Sequence, residues 1–106
     1  MNEASTHEFE LRIDSEHPSL PGHFPGRPIV PGVVLLDNVI AGAERWLGRS
    51  LQVKALPQTK FVQPLLPEQP ANVSLALARD ELKFEITSEQ GRIAQGALKL
   101  DVGSNA

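Results

Sequence analysis

Residues 33 to 48, VVLLDNVIAGAERWLG, are apolar on too many sides to lie on a surface. Val33, Leu36, Val39, Ile40, Ala43, Trp46 and Leu47 recur at threes and fours, the period of an α-helix, and Gly48 supplies a C-terminal stop. Sixteen helical residues span about 24 Å, enough to cross a small domain. With so few polar positions, most of the circumference must be covered by the rest of the chain.

The covering layer has to come from strands. In residues 7 to 13, HEFELRI, Phe9, Leu11 and Ile13 alternate with Glu8, Glu10 and Arg12, which predicts a strand with one buried face. After the helix, LQVKAL and QTKFVQPLL precede a turn at PEQP. ANVSLALA, LKFEITS and RIAQGALKLDV then follow, joined by turns at RDE and at Gln90 and Gly91. One strand, a loop, one apolar helix and about four further strands predict an α+β domain in which an antiparallel sheet wraps the helix. Such a sheet leaves an edge and an outer face, and a symmetric dimer is the economical cover. No repeat or linker divides the 106 residues, so a single domain is expected, with residues 1 to 6 and 103 to 106 as polar tails.

Composition removes several function classes. Aromatic residues are 5%, so Val, Leu, Ile and Ala must fill a small core. The absence of cysteine excludes a thiolate nucleophile, a disulfide framework and a Cys-type zinc site. A net charge of -3 with dispersed basic residues gives no footprint for nucleic acid. The N-terminus has no signal-peptide pattern and no segment is long and apolar enough to span a membrane, so a soluble cytoplasmic protein is expected.

Chemistry concentrates just before the helix. HPSLPGHFPGRPIVPG, residues 17 to 32, packs five prolines and three glycines around His23. The prolines fix their own φ and hold the preceding residues extended, so the loop is stiff. Two readings of His23 follow: a base held for accurate contact with a substrate, or an exposed residue on a rigid connector. Gly32 opens the helix, and its N–H has no intrahelical acceptor. It can meet a carbonyl oxygen that gains negative charge, or simply begin a helix. Asp37 is the one acid in the first three turns; it is either a desolvated proton donor or a residue turned to solvent.

The run GHFPGRPIVPGVVLLD resembles the active-site signature of the β-hydroxyacyl-acyl carrier protein dehydratases, in which an acid follows the histidine by fourteen residues, as Asp37 follows His23. KFVQPLLPEQ, and the pair LKFEI and GRIAQGALKL, extend the resemblance more weakly through about ninety residues. The resemblance implies the hotdog fold, a long central helix wrapped by a curved antiparallel sheet. It also implies a dimer with active sites at the interface. His23 would remove the α-proton of a 3-hydroxyacyl thioester, the N–H of Gly32 would hold the thioester oxygen, and the partner's Asp37 would help expel the hydroxyl as water. Phe24 and Val33 would line the substrate. No cofactor or metal is implied.

An acyl carrier protein is acidic, and Arg27, Arg45, Arg49, Lys54 and Lys60 are candidates for the basic rim it would need. The chain departs from the family pattern at Ala41, where a glutamine is usual four residues after the acid, and at Glu68, where glycine is usual. Ser19, Leu20 and Pro21 stand where larger aromatic side chains are common. Other readings are a non-catalytic acyl-binding or scaffolding subunit paired with an active relative, a higher oligomer, and a hotdog thioesterase. A metal site from His7, His17 and His23 has spacings that fit no compact zinc pattern, so His7 and His17 are expected at the surface and Trp46 in the core or an interface.

Overall fold

The computed structural model describes residues 5–14 and 29–101. The elements run β1 (Ser5–Leu11), α1 (Gly32–Leu47), β2 (Val53–Phe61), β3 (Ala71–Ala78), β4 (Glu81–Ser88) and β5 (Gly91–Leu100). The five strands form one sheet in the order β1-β3-β4-β5-β2, every neighbouring pair antiparallel.

Alternation along each strand divides the sheet into two faces. Val73 and Leu75 of β3, Leu82, Phe84 and Ile86 of β4, and Ala94 and Leu98 of β5 are buried. They join Val34, Leu35, Val39 and Ala43 of the helix in one core cluster. The opposite face carries charge: Arg92 Nε donates to Glu85 at 2.6 Å and Lys99 Nζ to Asp80 at 3.3 Å. Both pairs are half exposed, so each is worth at most about 1 kcal/mol.

Boundaries differ from the sequence reading in instructive places. Ser5 and Thr6, read as part of a polar tail, belong to β1, because they continue its ladder against Leu77 and Ala76. The stretches on either side of Pro57 form the single strand β2, so four strands follow the helix, as expected. β2 is an edge, so a residue without an N–H need not interrupt a ladder there, and the irregularity is absorbed as register shifts between Val53 and Gln58. The helix ends as expected: Gly48 adopts φ 73° and donates its N–H to Glu44 O at 2.8 Å.

Candidate active site

The start of α1 is an open helix end. Pro31 stands at the N-cap with φ -63° and ψ 147°, and among the described residues no side chain caps the end. The hydrogen-bond ladder begins with Val34 and Leu35, whose N–H groups both donate to Pro31 O at 3.0 and 3.3 Å. The N–H groups of Gly32 and Val33 lie ahead of it, at the positive end of the helix dipole, and no acidic residue occupies the first turn. A main-chain bond braces this end, Val30 N–H donating to Leu65 O at 2.9 Å.

Phe61, at the end of β2, lies over Gly32. A Cβ on Gly32 would sit 2.9 Å from Phe61 Cζ, closer than carbon atoms pack, so any larger residue there would push the ring aside. The ring is nevertheless 49% exposed and borders an open depression of about 440 Å³ that includes Gly32, Leu35, Val62 and Leu65. Phe61 is a residue that sequence reasoning missed: periodicity assigns it to a strand but cannot say that the strand ends beside a glycine 29 positions earlier. Gln63 holds the following turn, donating from Nε2 to Arg92 O at 2.9 Å and to Gln90 O at 3.2 Å.

Asp37 is exposed on the helix. Five residues separate it from Gly32, about 7.5 Å along the axis and roughly 140° around it. The acid therefore leaves the helix on a different side from the one on which Gly32 meets Phe61. Asn38 donates from Nδ2 to Val34 O at 2.9 Å, closing its side chain against its own helix. Ala41, one turn beyond Asp37, brings no polar group.

His23, Phe24 and Arg27 lie outside the described residues, as does His17. Val33 is among them and 63% exposed, beside the open N–H groups. The remaining basic candidates do not form one rim on a single chain. Arg45 and Arg49 lie at the far end of α1, Arg45 about 20 Å along the axis from Gly32. Lys60 adjoins Phe61, while Lys54 is about 20 Å away at the other end of β2. Arg45 Cζ lies 5.8 Å from the centroid of Phe9, so part of its role is packing. His7, expected at the surface, is half-buried, its ring stacked on Trp46 at 5.2 Å between centroids. Among the described residues no cluster of His, Asp and Glu could hold a metal ion, and no helix is long and apolar enough to cross a membrane.

Comparison with known proteins places this geometry. The model of the ApeI-like family, described as ApeI dehydratase, matches residues 1–97. Among curated proteins, the 3-hydroxyacyl-(acyl-carrier-protein) dehydratase FabZ of Lactobacillus helveticus is 28% identical over 87 residues, covering 76% of this chain and 51% of the relative. The FabZ of Herpetosiphon aurantiacus is 25% identical over 99 residues, 85% of this chain and 62% of the relative. The chain thus spans between about half and three fifths of the length of these two relatives.

Among solved structures, the dehydratase heterocomplex ApeI:P from Xenorhabdus doucetiae superposes with a TM-score of 0.83 at 25% identity, covering 96% of this chain and 90% of that one. An uncharacterised protein from Erwinia carotovora subsp. atroseptica superposes equally well, TM-score 0.83 at 29% identity, covering 95% and 86%. The (R)-hydratase of A. caviae, at 12% identity, covers 96% of this chain and 97% of that one with a TM-score of 0.76, which concerns the fold alone. With a single apolar helix against one antiparallel sheet, and a family match over nearly the whole sequence, the chain has the hotdog fold and belongs to the ApeI-like dehydratase family.

Proposed function

We propose that this chain dehydrates 3-hydroxyacyl thioesters, carried by an acyl carrier protein, to trans-2-enoyl thioesters in fatty-acid or specialised acyl biosynthesis. The observation that carries the reading is the open N-terminus of α1 in a chain of this family. The Gly32 N–H is clear of any side chain of its own and outside the helical ladder, the requirement for a donor to an oxyanion.

Each residue has a defined part in the reaction. A thioester oxygen at the Gly32 N–H gains negative charge as the α-proton leaves, and the donor stabilises that charge more than it does the ground state. His23 takes the α-proton; an imidazole that titrates near neutrality suits that task. The electron pair of the broken C–H bond forms the C2–C3 double bond, the C3–O bond breaks, and the hydroxyl leaves as water with a proton from Asp37. Transfer of the proton from His23 back to Asp37 restores both groups.

Asp37 is exposed on α1, which leaves it available to a site shared with a second subunit, the arrangement that the resemblance implies. Homologous likeness to a dehydratase heterocomplex makes a dimer partner of similar fold reasonable, whether identical or not. A second reading, a non-catalytic acyl-binding or scaffolding subunit beside an active dehydratase, draws on Ala41, which leaves Asp37 without a polar neighbour one turn along.

Water loss from 3-hydroxyacyl-carrier thioesters, followed by mass spectrometry, tests the reading. The wild type is expected to turn over, with His23→Ala and Asp37→Asn each slowing it by about 10²–10⁴-fold. A folded wild type that forms no enoyl product on any chain length, alone, would favour the scaffolding role.

A further inference from the structure

We infer that Phe61 is a specificity-determining residue that sets the size of the acyl group admitted beside the Gly32 N–H; this rests on the dehydratase reading and deepens it. Position is the first ground. Phe61 pairs with Ala94 on β5, and Ala94 with Ile86 on β4, so the ring stands on the sheet face that carries the core. It touches Gly32, the residue whose N–H faces the thioester in that reading, so anything bound at the N–H passes its edge.

Exposure is the second ground. A ring on the inward face that stays half exposed has room on one side, here the depression it shares with Leu35, Val62 and Leu65. Among the described residues no charged side chain lines that depression, which suits an uncharged hydrocarbon chain, and about 440 Å³ lies within the range of small-molecule sites.

The ring has a defined effect on the substrate. A short acyl group bound at the Gly32 N–H lies against the free side of the ring, whereas a longer or branched one must displace it. Phe61 therefore discriminates by volume and contributes little to proton transfer.

The test compares wild type, Phe61→Leu and Phe61→Ala across a series of straight 3-hydroxyacyl thioesters from short to long, with kcat and KM separated. Phe61→Ala should raise the ratio of long-chain to short-chain kcat/KM by about tenfold or more, through KM, with Phe61→Leu in between. Equal loss on every chain length, or an unchanged ratio, overturns the inference and leaves the dehydratase reading standing. So does a change in oligomeric state by ultracentrifugation without a change in ratio, since a second copy would then be what the ring meets. If Phe61→Ala does not fold, Phe61→Leu and Phe61→Met decide by the same ratio. If the wild type turns over nothing, the dehydratase reading fails, and binding of unreactive acyl-pantetheines by calorimetry decides the inference. Length-dependent affinity that is altered in Phe61→Leu upholds it, and affinity indifferent to the substitution ends it.

Discussion

At the scale of single residues, two side chains adopt a backbone conformation that L-residues avoid. Glu68 has φ 68° and Arg79 φ 59°. Such a position costs about 1–2 kcal/mol for a residue with a Cβ, and glycine escapes it. The departure of Glu68 from the family pattern thus has a physical meaning: glycine is usual there because the turn after β2 needs a positive φ. Glu68→Gly is expected to raise unfolding stability by up to about 1 kcal/mol in a denaturant titration, even though the exposed contact with Arg12 at 3.9 Å goes with the carboxylate. A loss of stability would show that the side chain contributes more than the backbone costs. Thr59→Val is the complementary case. Removing a buried, unpartnered hydroxyl should leave stability unchanged or raise it by about 1 kcal/mol, measured the same way. A loss exceeding that amount would mean that the hydroxyl is satisfied in solution.

At the scale of elements, two glycines of α1 do different work. Gly42 faces β1, and the Phe9 ring occupies the space a Cβ would need. Gly42→Ala gains about 1 kcal/mol of helix propensity but must displace that ring and, with it, the neighbouring stack of His7 on Trp46. A net loss of about 1–2 kcal/mol is expected, accompanied by a shift in Trp46 emission; a gain would show that the ring moves freely. Gly48 has open space around it and is needed only for its left-handed φ. The period of three and four, the glycine stop and the two hairpin turns made α1 and the strands β3 to β5 readable from residues alone, because those signals are local. The irregular register of β2 around Pro57 was not readable: a sheet edge tolerates a residue without an N–H, and which strand forms the edge is a property of the whole topology. The contact of Phe61 with Gly32 was hidden for the same reason, since it depends on where two distant elements meet.

At the scale of the whole molecule, the described chain has an open helix end, an acid on a different side of that helix, and an edge strand whose Val53, Lys54 and Ala55 are exposed. The proposed active site is one that two subunits would share. His23 and Gly32 would come from one chain and Asp37 from the other, so each active site of a homodimer needs one intact loop and one intact helix. This makes a quantitative prediction. His23→Ala and Asp37→Asn, each inactive by itself, are mixed and allowed to exchange subunits. Random exchange converts half the dimers to the mixed form, and each mixed dimer has one site with both groups intact and one with neither. Activity should therefore return to about a quarter of the wild-type value. If both groups served the same site from one chain, no mixed dimer would contain a complete site, and the mixture would stay as inactive as its parts. A recovery that occurs only when a second, different hotdog subunit is added would place this chain in a heterodimer, with the missing group supplied by that partner.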